Sequence, residues 1–72
     1  MYSTPVVQVV YHNPTWAVKV EHELVLRSQH RTREAAEQAG RDLAKLTQTE
    51  LVVHDYGGKV ARCESYRGPS SI

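Results

Sequence analysis

The chain has 72 residues, nine Lys and Arg against eight Asp and Glu, 40% apolar residues and a single cysteine. That length allows one domain with a small core, and the apolar content excludes a wholly disordered chain. The near-zero net charge argues against non-specific nucleic-acid binding driven by charge, and no apolar run approaches the roughly 20 residues needed to span a bilayer.

The first element in chain order is PVVQVVY, from Pro5 to Tyr11, rich in β-branched residues and therefore read as a strand. It ends at His12-Asn13-Pro14-Thr15, where Asn-Pro signals a turn because proline presets φ and biases its neighbour away from helix. WAVKV then alternates, with Trp16, Val18 and Val20 on one face and Ala17 and Lys19 on the other. After a polar turn at Glu21-His22-Glu23, the segment Leu24 to Arg27 reads as a third strand with Leu24 and Leu26 inward, and Ser28 to Arg31 as a linker.

The segment from Arg33 to Thr47 carries the only long helical periodicity. Thr32 stands at the N-cap, where its hydroxyl accepts from an orphaned amide. Glu34 places negative charge in the first turn, where the helix dipole favours it. Ala35, Ala36, Ala39, Leu43, Ala44 and Leu46 recur at spacings of three and four, and Glu37 precedes Arg41 by four, an ion-pair spacing. The buried face is mostly alanine with Gly40 beside it. A helix-interior glycine costs about 1 kcal/mol relative to alanine, so close approach of the helix backbone to a sheet is its expected compensation.

Glu50 to His54 follows as a strand with Leu51 and Val53 inward, then a hairpin turn at Asp55-Tyr56-Gly57-Gly58, where glycines accept positive φ. Lys59 to Glu64 is the return strand, and Ser65 to Ile72 is polar and contains Gly, Pro and Ser. The expected organisation is one α+β domain over residues 1–66 with a flexible tail over 67–72. Its layout is an antiparallel β-β-β-α-β-β sheet with one helix on one face. The expected core is Trp16, Val18, Val20, Leu24, Leu26, Ala39, Leu43, Leu46, Leu51 and Val53.

WAVK at Trp16–Lys19, ELVVH at Glu50–His54 and the triplet Glu64-Ser65-Tyr66, spaced around a TREAAEQAGRDLAK helix, resemble one small bacterial family. It is a domain of unknown function, number twenty-one eighty-eight, and the resemblance runs from Val9 to about Pro69. This chain has Thr15 where the family usually has glycine, and Gly57-Gly58 where it has Asp-Gly. The resemblance implies a cytoplasmic bacterial, plasmid or phage-associated protein of βββαββ layout. It brings no catalytic residues.

The residues themselves offer little chemistry. His12, His22, His30 and His54 lie in separate turns and strand ends without metal-site spacing, and one cysteine builds neither a disulfide nor a thiolate set. Cys63 and His54 sit too far apart along their hairpin for a nucleophile pair, and Gly57-Gly58 lies between strands rather than before a helix, so it is no phosphate loop. No catalytic, cofactor or metal residue is assigned. A cytoplasmic location is expected from the unpaired cysteine and the absence of a signal-peptide pattern.

What stands out is the second sheet face. With one set of strand residues under the helix, Val6, Val10, Ala17, Val25 and Val52 point away from it, more apolar than a solvated face should be. The first expectation is a non-enzymatic interaction module, a homodimer with that face as its dimer face, which binds a protein partner. The alternative is a nucleic-acid-binding domain in which Lys19, Arg27 and Arg62 share the outer face, Tyr56 stands near its rim, and Arg31 and Arg33 crowd the helix start.

Overall fold

The computed structural model describes residues 5–67. Six elements follow in order: β1 (Val7–His12), β2 (Thr15–Val20), β3 (Ser28–His30), α1 (Arg33–Thr47), β4 (Glu50–His54) and β5 (Val60–Ser65). Residues 68–72 of the expected tail lie outside the described residues. Ser65 belongs to β5, Tyr66 packs against the core, and Arg67 reaches Glu50 at 3.3 Å.

The helix begins and ends as its sequence dictates. Thr32 takes an extended conformation and its Oγ1 accepts from the Ala35 amide at 3.1 Å. At the other end Gln48 turns left-handed (φ 55°), and its amide and that of Thr49 reach back to carbonyls of the last turn. Ala36, Gly40 and Ala44 form the buried stripe. A Cβ placed on Gly40 meets Val9 Cγ2 at 2.9 Å and Leu51 Cδ1 at 3.0 Å, so the helix backbone lies directly on the sheet's side chains.

The sheet has five strands in the order β3-β2-β1-β4-β5. It is mixed rather than purely antiparallel, because β4 pairs parallel with β1 while the other three pairs are antiparallel. The cause is topological. Two antiparallel steps bring β3 back to the direction of β1, and α1 runs the chain back across the sheet. The next strand therefore starts in the direction of β1 and takes the vacant place beside it.

The meander differs from expectation at its third strand. Leu24 to Arg27 is a loop, and the strand is Ser28–His30. His22 adopts a positive φ of 73°, Glu23 N–H donates to the Val20 carbonyl at 3.0 Å, and Arg27 N–H donates to the Val18 carbonyl at 2.7 Å. Those bonds close a loop over residues 21–27 and delay pairing with β2 until Ser28. Leu24 is consequently fully exposed and Leu26 only half-buried. Leu46 is exposed as well: β3 begins opposite Val18, and among the described residues no strand lies beneath that flank of the last helical turn.

The core consists of Val7, Val9, Trp16, Val18, Val20, Ala36, Ala44, Leu51 and Val53, with Tyr11, Ala39, Leu43 and Tyr66 packed at its margin. Tyr11, Trp16 and Tyr56 close one end as a three-ring cluster with centroids 4.7 to 5.1 Å apart, in the edge and tilted geometries that aromatic quadrupoles favour. At the late hairpin, Asp55 Oδ1 accepts from the amides of Gly57 (2.9 Å) and Lys59 (3.0 Å), and Gly58 alone takes the positive φ, 86°.

Candidate functional site

Successive strand residues point to opposite faces, so the register defines the face that α1 does not cover. One row across it is Gln29, Ala17 and Val10. The next is Lys19, Gln8, Val52 and Cys63. Val6, Val10 and Val52 are half-buried, and Ala17 is buried although no layer lies above it among the described residues. The small methyl of Ala17 sits below the taller side chains paired with it on either side. Val25 does not join them: it lies in the loop over residues 21–27 and is 69% exposed. Four of the five residues expected on this face therefore share it, interleaved with Gln8, Lys19 and Gln29.

The expected cationic surface does not assemble. Lys19 stands on the open face. Arg27 instead makes a bidentate pair with Glu23 (2.8 and 3.0 Å). Both line a cleft of about 190 Å³ with Pro5, Val7, Val20, Leu43 and Thr47, on the helix side. Arg33 lies 5.6 Å above the Trp16 ring and pairs with Glu37 at 2.9 Å. Arg62 points toward the helix, where it meets Glu37 at 2.6 Å and Glu64 at 2.8 Å. Tyr56 stacks on Tyr11 and Trp16, which also face the helix, and does not rim the outer face. Lys19 and Arg31 have no ion-pair partner among the described residues, and they sit on different parts of the molecule.

A bulge explains where Arg62 points. Val60 pairs with His54 and Arg62 with Val53, so Ala61 is an extra residue in the hairpin. Simple alternation from Val60 would send Arg62 outward; the inserted residue reverses the parity. Arg62 and Glu64 then face the helix, and Cys63 takes the outward position opposite Val52. His54, two register positions from that pair, sets its Nδ1 3.3 Å from the Gly58 carbonyl.

The reversed parity also builds a charge network absent from the sequence reading. Glu37 bridges Arg33 and Arg62, while Arg41 reaches across to Glu64 at 3.2 Å instead of pairing with Glu37. Arg41 Nε also donates to the Tyr66 hydroxyl at 3.1 Å, and that hydroxyl donates to Glu64. The Tyr66 hydrogen bond, with support from Arg41 and Arg62, holds the Glu64 carboxyl down at about 2. The same bond raises the Tyr66 phenol above its ordinary value, since the proton it donates is harder to lose. The helix backbone packs on β1 to β4, so this network is what ties β5 to α1. Its sequence signal is the i,i+4 pair Glu37 and Arg41 on one helix flank facing the i,i+2 pair Arg62 and Glu64.

Among the described residues, no group of three or more His, Cys, Asp or Glu side chains is placed to hold a metal ion. No helix among them is long and apolar enough to cross a membrane. The sequence matches, over residues 7–66, the family described as "uncharacterized protein conserved in bacteria (DUF2188)". No curated protein and no solved structure matches the chain.

Proposed function

The chain belongs to that family of bacterial proteins, and from this premise we propose that it is a non-enzymatic, cytoplasmic interaction module whose open sheet face binds a protein partner. One observation carries the reading: the face that no layer covers among the described residues bears Val6, Val10, Ala17 and Val52. Valine and alanine side chains on an open sheet face gain free energy when a partner removes them from water, at about 25 cal/mol per Å². Gln8, Lys19, Gln29 and Glu50 interleave with them. That mixture suits a surface that is solvated when free and covered when bound, because separable interfaces are about as apolar as ordinary protein surface.

Nucleic-acid binding has less support. The cations expected on the outer face do not gather there: Arg27 and Arg62 lie on the helix side, and Arg27 and Arg33 are each paired with a carboxylate that a phosphate ligand would have to displace.

A photo-crosslinking amino acid at Lys19, on the open face, and another at Gln38, on the solvated side of α1, test the reading in bacterial cells. The expected result is a discrete protein adduct at Lys19, lost when Val10→Glu is added, with none at Gln38. Absence of an adduct at Lys19, or identical adducts at both positions, contradicts it. Salt-sensitive amide shifts at Lys19 or Arg31 on adding DNA or RNA would favour the nucleic-acid alternative instead.

A further inference from the structure

We propose that a second copy of this chain pairs antiparallel with the free edge of β5, in the register that sets Cys63 opposite the partner's Cys63. The inference concerns an edge and not a face, and it does not depend on the reading given above.

β5 is the last strand in the sheet order, with β4 on one side and no strand on the other among the described residues. The opposite edge strand, β3, is three residues long and offers little to pair with. The Tyr66 amide donates to the Thr49 carbonyl at 3.0 Å, which fixes the phase of the antiparallel ladder. Tyr66, Glu64 and Arg62 turn their backbone groups toward β4, and alternation turns those of Cys63 and Ser65 toward the open edge. Both of these residues are exposed. An unpaired row of amides and carbonyls is a template for another strand.

Charge selects the register. Outward backbone groups must meet outward backbone groups, so successive allowed registers differ by two residues. Slipped one way, Arg62 stands opposite the partner's Arg62; slipped the other way, Glu64 stands opposite the partner's Glu64. Only the middle register sets Arg62 against the partner's Glu64 and Glu64 against the partner's Arg62. These fall at non-hydrogen-bonded positions, where facing side chains lie closest. Opposite charges there favour pairing and like charges oppose it. Arg62 keeps 42% of its side chain exposed beyond its pairs with Glu37 and Glu64, and although side chains of α1 reach β5, the α1 backbone does not pack on it, so the outer edge can be approached from this side. Like every antiparallel pairing of a strand with its own copy, this register is two-fold symmetric. The contact therefore closes at a dimer and does not propagate, and the result is a ten-stranded sheet whose two open faces run together through Val52 and Cys63.

The test uses the unmodified chain under a thiol reductant, which removes disulfide-linked species. Mass is measured by light scattering from micromolar to millimolar concentration, and amide hydrogen exchange is followed by NMR at both ends of that range. The expected result is a dimer at high concentration. The amides of Cys63 and Ser65 should exchange slowly in it and rapidly on dilution, while those of Arg62 and Glu64 stay slow throughout. Ser65→Pro removes one outward N–H without touching the β4 ladder, and should weaken self-association at least about tenfold with native circular dichroism. A monomeric mass at millimolar concentration would overturn the proposal. So would a dimer in which the Cys63 and Ser65 amides exchange as fast as in the monomer. Loss of the Lys19 crosslink with this protection pattern intact would count against the sheet-face reading alone.

Discussion

The two faces of this sheet are built from the same strands, one residue out of step, yet they hold different chemistry. Under the helix stand Val7, Val9, Trp16, Val18, Leu51 and Val53, almost wholly removed from water. On the other side Val10 and Val52 are half-buried among Gln8, Lys19 and Gln29. The covered face depends on fit, since Gly40 is the only residue type that lets α1 settle against Val9 and Leu51. The open face meets no helix and needs no such fit. One face folds the domain, and the other contributes little to the fold.

Substitutions should separate the two faces by the size of their effect. Leu51→Ala removes a fully buried side chain from beneath the helix and should cost about 3 kcal/mol, a large share of what a domain this small possesses. Urea unfolding followed by circular dichroism reads that loss directly. Gly40→Ala comes next. Its methyl gains helix propensity of about 1 kcal/mol, but Val9 Cγ2 at 2.9 Å is part of a stiff β-branched side chain and must yield, so a net loss of about 1 kcal/mol is expected. A stabilised variant would mean that the helix has room to lift.

The charge network on β5 gives a smaller, pH-dependent effect. The folded-state value of Glu64, about 2, lies below its ordinary value of 4.5. Its stabilisation is therefore complete above about pH 4.5 and is lost as pH falls through about 2, because the unfolded chain takes up the proton first. Glu64→Gln should lower stability at neutral pH by about 1 kcal/mol or less, given partial screening by solvent. It should also flatten the acid limb of the stability profile. A profile unchanged in shape would show that Glu64 is not held by Tyr66 and Arg41. At the bottom of the scale, Val10→Thr on the open face should change stability by less than about 0.5 kcal/mol.

How legible these features were in the sequence follows the range of the forces that make them. Helix α1 has the expected bounds because its signals are local: Thr32 caps its start, and the alanine and leucine spacing marks one face. The β4 limits and most of the core under the helix were readable for the same reason. Leu24 and Leu26 misled because their alternation imitates a strand, whereas the Arg27 bond to Val18 makes them part of a loop. The parallel pairing of β1 with β4 joins segments far apart in the chain and leaves no local mark. Arg62 was misplaced by one inserted residue, Ala61, and that reversal hid the network with Glu37, Arg41 and Glu64.

The division between the faces is tested most directly by a matched pair at adjacent positions of β4. Val53→Thr and Val52→Thr make the same near-isosteric change, one on the covered face and one on the open face, read by thermal unfolding of both variants beside the unmodified chain. Val53→Thr should bury an extra hydroxyl, cost about 1–3 kcal/mol and lower the midpoint by roughly 4–8 °C for each kcal/mol. Val52→Thr should leave the midpoint within about 3 °C. Equal losses at the two positions would contradict the account, since the open face would then carry the fold as much as the covered one.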